Sequence, residues 1–296
     1  VDEFGEQATV TISPLTLTAP FTASASTYDF KIAAGGKIAT KNTANKEASF
    51  SFKEDSTAKA IYTTAATLAD RDTAQTPESA EFKFANLEFA AENVVITLNE
   101  FSSKAKKASL KDGTITETTV IPTELTFKGQ AKLANATDSL GLEASIKLNN
   151  DLSQVIDVTN GESATAFVNA DLSVKLSGNL KDSATTYKPF SLDLTAKRNE
   201  YQKGTATIKV AVDKDALTAD FKTDNLIGND PKAAHEPTVW AKLSHANGAY
   251  VEIADLDKFT SAQIKVGNTS YATVSKVSNN AYSAKFTDNT VKAIAP

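Results

Sequence analysis

Apolar and polar residues alternate with a period of two over long stretches of this chain, the strongest local signal of extended backbone. The clearest run spans 166–180. Ala166, Val168, Ala170, Leu172, Val174, Leu176 and Leu180 fall on one side, and Asn169, Asp171, Ser173, Lys175 and Asn179 on the other, with Gly178 in the one gap on the apolar side. A helix would scatter that apolar set round its whole circumference. The period returns at Phe190, Leu192, Leu194 and Ala196, at Ala206, Ile208, Val210 and Val212, and at Leu217, Ala219 and Phe221. Polar connections separate these runs: Lys181-Asp182-Ser183, Arg198-Asn199-Glu200 and Asp213-Lys214-Asp215. Region 163–223 is therefore expected to be a meander of about four long antiparallel strands, apolar on one face and wet on the other.

Upstream the alternation is less regular. Leu125, Phe127, Ala131 and Leu133 alternate around Gly129, and Leu142, Ala144, Ile146 and Leu148 follow the polar stretch 135–138. Phe82 and Phe84 give way to Leu87 and Phe89, a phase slip across Ala85-Asn86 that predicts a bulge. Val94, Ile96 and Leu98 keep strand period. Ala8, Val10 and Ile12 precede Pro14, and Leu15 and Leu17 follow it, which places Pro14 at a bend or on a sheet edge. Tyr28, Phe30 and Ile32 lead into Gly35-Gly36-Lys37, expected to be a hairpin turn before the short strand of Ala48, Phe50 and Phe52. Two stretches also admit short helices: 56–70, rich in Ala and Thr and free of Gly and Pro, and 149–158, where Asp151 can cap a turn. A strand is nearly as well supported for 58–64.

The pattern breaks at 226–237, where Gly228, Pro231 and Pro237 interrupt it, as expected of a linker or a long loop. Residues 1–225 then form one large antiparallel region, divisible near 150–163, and 238–296 a smaller β-sandwich or barrel-like domain. Within that domain Val239, Ala241 and Leu243 face Tyr250 or Val251 across Asn247-Gly248, a strong hairpin dipeptide. Ile264 and Val266, Tyr271 and Val274, and Tyr282, Ala284 and Phe286 supply its further short strands. The predicted fold is all-β, in sandwich or meander sheets.

Composition narrows the function classes. The 296 residues include 46 Ala and 37 Thr, and no Cys or Met. Without sulfur there is no disulfide framework, thiolate metal site, iron–sulfur cluster or thiol nucleophile. Omitting oxidisable methionine costs little to a rigid protein facing an oxidising exterior. The chain starts at Val1-Asp2-Glu3, expected for a processed, secreted product. Net charge is −5, and Arg occurs only at Arg71 and Arg198, so no basic face for nucleic acid is expected. No uncharged apolar stretch has the length of a membrane helix. Missing aromatic girdles and the terminal Ala293-Ile294-Ala295-Pro296 argue against a porin-like barrel.

Candidate chemistry is sparse. His235 and His245 are the only histidines, and neither a nucleophile elbow nor a phosphate-binding glycine loop is present. No catalytic residue and no cofactor is assigned. Glu143, Asp171, Asp193 and Glu252 fall on predicted polar faces, where solvated charge is the ordinary explanation. Trp240 is the one tryptophan able to stack on a sugar. Three carboxylate pairs, Asp70 and Asp72, Asp213 and Asp215, and Asp255 and Asp257, suit the oxygen-ligand chemistry of calcium, without the spacing of a full calcium loop. Asn135-Ala136-Thr137 and Asn268-Thr269-Ser270 match the glycan-acceptor pattern.

These features point to an extracellular or cell-surface structural protein, a subunit of a surface layer, fibre or adhesin, that acts by self-assembly and not by catalysis. Its expected partner is another copy of itself, with a cell-envelope component or glycan as a second. The alternative is a secreted or periplasmic carrier holding a lipid, peptide or glycan on a curved sheet. What separates them is whether Leu172, Val174, Leu176, Leu192, Leu194, Ile208 and Val210 pack against a second sheet or enclose an open channel. The strand phase also predicts that Val174→Asp disrupts folding or assembly while Lys175→Asp is nearly silent.

Overall fold

The computed structural model describes residues 7–12, 14–18, 26–41, 44–62, 77–133, 138–149, 151–157, 169–181, 183, 186–200, 203–224, 238–256, 259–278 and 281–287. Among them the chain is all-β, without helix. The N-terminal strands are β1 (Gln7–Thr11), β2 (Leu15–Thr18), β3 (Ser26–Ile32), β4 (Lys37–Lys41), β5 (Glu47–Phe52), β6 (Ser56–Tyr62) and β7 (Ser79–Ala91). The central ones are β8 (Val94–Asp112), β9 (Ile115–Leu133), β10 (Ser139–Leu148), β11 (Ile156–Asp157), β12 (Ala170–Lys181), β13 (Tyr187–Glu200), β14 (Lys203–Val212) and β15 (Asp215–Asp224). The last are β16 (Thr238–His245), β17 (Ala249–Ile253), β18 (Ser261–Val266), β19 (Thr269–Ser278) and β20 (Ala281–Phe286).

Nineteen of these strands form one antiparallel sheet, and β11 joins it by a short parallel pairing with β8. From β7 onward the order in space follows the sequence: each strand pairs with the next, and β10 passes directly to β12. The expected four-strand meander is β12 to β15. The N-terminal part follows the same rule with interruptions. β1 and β2 lie along β4 and β3, these lie along β5 and β6, and β5 and β6 share the single strand β7. Chain direction is kept through every break, so each interrupted pair acts as one long strand.

The breaks line up across the sheet. They fall at Pro14, at Gly35, at 53–55, at Asn86 and at Asn99, which is skipped in the pairing of β8 with β9. Asn86 and Gly35 have positive φ, 46° and 100°. Along this crease small residues are closed off: Ala85 and Ser56 are each 2% exposed, and the Ala85 N–H donates to Ser56 Oγ at 3.3 Å. Backbone groups freed by the bend are reused, with Lys53 N–H donating to Asn86 O at 2.9 Å and Ala34 N–H to Asp55 Oδ1 at 2.8 Å. The bulge predicted across Ala85-Asn86 is one member of this line.

Three local expectations change. Residues 56–62 form strand β6 and not the start of a helix, because Ser56 to Tyr62 lie between β3 and β7 and share both ladders; 63–70 lie outside the described residues. In 151–157 there is a turn and then β11: Asp151 Oδ1 accepts from Ser153 N–H at 3.0 Å, so the predicted cap closes a turn and no helix follows among these residues, while 150 and 158 lie outside the described residues. Gly35-Gly36 does not close a hairpin. The flanking strands β3 and β4 do not pair with each other but run on past the crease, Ile32 opposite Ser56 and Lys37 opposite Ser51.

The stretch 226–237 lies outside the described residues. On either side of it β15 and β16 are antiparallel neighbours, from Leu217 opposite His245 to Asp224 opposite Thr238, and β16 to β20 continue the same ladder.

Candidate functional site

Directly opposed residues of an antiparallel pair share a face, so the register assigns every strand position to one side. One row starts at Leu17 and crosses Phe30, Ala58, Phe82, Ser103, Leu125 and Ile146. It continues through Leu172, Ala196, Ala206, Phe221, Ala241 and Ile253, with a single hydroxyl at Ser103. A second row runs from Phe101 through Phe127, Ala144, Val174, Leu194, Ile208 and Ala219 to Leu243. Across these rows one face of the sheet is therefore apolar.

No second layer covers that face among the described residues. The apolar side chains buried on it are alanines only, Ala241, Ala262 and Ala272; Ala39, Ala85 and Ala108 are buried on the opposite face. Leu192 remains 40% exposed, Val210 45% and Leu243 47%. Leu172 to Val210, the seven side chains on which the two functional readings differ, neither pack against a second sheet nor enclose a channel among the described residues; they line an open face. Contiguous exposed apolar surface on this scale is unusual for a monomer and makes this face the candidate site.

The opposite face carries paired charge. Asp29, Lys59, Glu81 and Lys104 stand in one row, which continues through Glu124, Lys147, Asp171 and Lys197, so the sign alternates at every strand. A second row runs Glu100, Lys128, Glu143, Lys175, Asp193, Lys209. Lys104 and Glu124 are 3.2 Å apart, and Lys197 and Asp171 3.8 Å. Each pair contributes about 0.2–1 kcal/mol. Glu143, Asp171 and Asp193 thus each stand between two lysines. Glu252 lies opposite Lys242 and accepts the Trp240 Nε1–H at 2.8 Å. Lys222 Nζ sits 4.7 Å from the Trp240 ring centroid, so a cation occupies one ring face that a sugar would use.

Near the C-terminal end the apolar face holds a cavity of about 650 Å³, lined by Leu217, Leu243, Val251 and Ile264. Leu256 and Phe259, from the connection between β17 and β18, complete its wall. His245 borders it, and His245 Nδ1 accepts the Asn247 N–H at 3.2 Å in the Asn247-Gly248 hairpin. His235 lies outside the described residues. Leu256 and Phe259 escape the sequence reading because they stand in no alternating run; two large apolar residues in a polar connection were the available signal.

Of the carboxylate pairs, Asp213 and Asp215 flank the turn between β14 and β15, and Asp255 follows β17. Asp70, Asp72 and Asp257 lie outside the described residues. Among the described residues no three acidic or histidine side chains gather as a metal site. Asn268 occupies the exposed turn between β18 and β19, and Asn135 lies outside the described residues. No helix among the described residues is long and apolar enough to cross a membrane. Comparison with family models, with curated proteins and with solved structures finds no match for this chain.

Three exposed carboxylates have pKa values below their ordinary range. Lys37 donates to Glu47 and holds it down, Lys31 and then the Ala34 N–H do so for Asp55, and the Ser153 hydroxyl and N–H for Asp151. A depressed carboxylate adds stability above its unfolded pKa and loses it as pH falls through the folded value. The melting temperature is expected to fall as pH drops below about 4, where such groups protonate. A melting temperature unchanged down to about pH 2 would remove these contacts from the stability of the fold.

Proposed function

We propose that this is an extracellular or cell-surface structural protein, a subunit of a surface layer, fibre or adhesin, that works by self-assembly, with the apolar face of one copy covered by a second copy. The observation that carries this reading is the continuous, uncovered apolar face. The scale of such a contact is illustrated by a patch of about six adjacent strands. Six strands at about 4.8 Å and four residue pairs at about 6.7 Å give roughly 770 Å² per copy. That matches the roughly 800 Å² per partner of a standard stable interface. The charge-paired face is then the one left to water. Calcium held by pairs such as Asp213 and Asp215 is a further component of the proposal.

Light scattering on the eluting chain, with and without millimolar calcium, and negative-stain microscopy test it. The wild-type chain is expected to give dimers or larger assemblies. The Leu192→Asp/Val210→Asp variant is expected to lose the face-to-face pairing and give smaller assemblies than the wild type, with unchanged far-ultraviolet dichroism, because both sites are already about half exposed. A wild-type chain that is monomeric at tens of micromolar would overturn the proposal.

The cavity under Leu256 and Phe259 favours a second reading, a secreted or periplasmic carrier of a hydrophobic ligand. Its volume lies within the roughly 300–1,000 Å³ of small-molecule sites. Native mass spectrometry of the purified chain would show the co-purified mass that this reading requires.

A further inference from the structure

We infer that copies of this chain join edge to edge, β20 of one copy adding antiparallel to β1 and β2 of the next. The inference rests on the self-assembly reading and names its lateral joint. It starts from the two ends of the sheet. β1 pairs only with β4, β2 only with β3, and β20 only with β19, so each end of the ladder presents one row of backbone N–H and C=O groups without a strand partner among the described residues.

Proteins ordinarily blunt such an edge with lysine or another charge, with proline, or with a cover. This N-terminal edge is blunted only at Pro14. From Gln7 to Tyr28 the sequence contains no Asp, Glu, Lys or Arg, and β1 and β2 are built from Thr, Val, Leu, Ala and Gln. Val10 is 61% exposed and Leu17 68%. It is an uncharged, β-prone strand of the kind that pairs with another chain.

The two edges suit each other. In a ladder antiparallel at every step, the interrupted strand β1–β2 and β20 run in opposite directions, so β20 meets β1–β2 of a second copy in antiparallel sense. Ala284 and Phe286 stand opposite Val274 and Ala272, in the row of Ile264 and its neighbours on the apolar face. Val10 and Leu17 lie in rows with Ile38 and Phe30 on that same face. The joint therefore keeps the apolar face continuous. On the polar face Lys285 meets only Thr9, Thr11, Thr16 or Thr18, so no like charge opposes it. Because the two surfaces differ, the contact is head to tail and open-ended, which makes filaments or ribbons.

Closure of β20 onto β1–β2 of its own chain is the competing arrangement. In a membrane it would need spanning strands of about 9–11 residues. β17 has 5 residues and β18 and β20 have 6 each.

The absence of native cysteine makes cross-linking decisive. Chains carrying Ser283→Cys would be mixed with chains carrying Thr9→Cys, Thr11→Cys, Thr16→Cys or Thr18→Cys, and oxidised; the four positions cover the registers open to a short strand. We expect the mixed disulfide to exceed either homodimer at least tenfold for one position or more. Val10→Lys/Leu17→Lys is expected to lower that yield tenfold and to cut filaments to pairs of chains. Absence of any mixed disulfide overturns the inference. So does a chain carrying both cysteines that closes on itself at nanomolar concentration. If Val10→Lys/Leu17→Lys leaves the filaments intact while Leu192→Asp/Val210→Asp dissolves them, the edge joint fails and the self-assembly reading stands. A wild-type chain without assemblies fails both.

Discussion

Replacing Gly178 by alanine is expected to destabilise the fold by about 2 kcal/mol, and replacing it by valine by about 3 kcal/mol or more. Gly178 lies between Leu140 and Phe190 on the apolar face. A Cβ there would stand 2.3 Å from Ser139 O and 2.8 Å from Phe190 Cε1. The first neighbour is backbone in an adjacent strand, so the ladder itself must shift. Gly141, one strand away, is the internal control, because its nearest neighbour to a Cβ would be Ser177 Oγ at 3.4 Å, an ordinary contact. Gly141→Ala is expected to stay within about 0.5 kcal/mol of wild type. Urea midpoints measure both, and equal shifts at the two positions would show that the close approach at Gly178 does not hold in solution. For a domain stable by about 5–15 kcal/mol, the loss at Gly178 is a large fraction of the total.

The second large effect separates the two faces at adjacent residues. Val174 sits between Ala144 and Leu194 in the middle of the apolar face. A carboxylate there loses the apolar contacts and gains no partner, for about 2 kcal/mol in the single chain and more wherever a second copy covers the site. Lys175 sits between Glu143 and Asp193. Lys175→Asp places three carboxylates in one row, so it is expected to cost about 1–2 kcal/mol, correcting the near-silence that strand phase alone predicts. Lys175→Gln, which removes the charge without reversing it, is the substitution expected to be nearly silent, at about 0.5 kcal/mol. Salt tells the mechanisms apart. At 1 M the Debye length falls to about 3 Å, so Lys175→Asp should recover much of its stability and Val174→Asp should not. Recovery of both, or of neither, would show that the face assignment is wrong.

Legibility in the sequence depended on range. Alternation at 170–180 and 190–196 defined strands and their apolar side, the slip at Ala85-Asn86 announced a bulge, and Asn247-Gly248 a hairpin. Each of these signals is complete within a few residues. The stretch 56–62 was ambiguous because Ala and Thr pull toward different backbones, and only pairing on both sides with β3 and β7 resolves it. Gly35-Gly36 resembled a turn for a similar reason, since a crease and a hairpin ask the same conformational freedom of glycine. The alternating rows of Lys with Asp or Glu could not be read, because their members lie on different strands and meet only when every register is set.

By itself, then, the sequence determined the all-β class and, for the clearly alternating stretches, where the strands lie and which side is apolar, because a two-residue period is a property of one strand. It also determined that no thiol chemistry takes place, and it leaves residues 7–28 without a charged side chain, although only the pairing makes that stretch an edge. The tertiary structure decided that the strands join into one sheet, that the apolar sides fall in common rows across it, and that no second layer covers them among the described residues. Those outcomes depend on which strand lies beside which. The candidate site is that uncovered face, and it exists only as the sum of many half-exposed side chains that no local pattern contains.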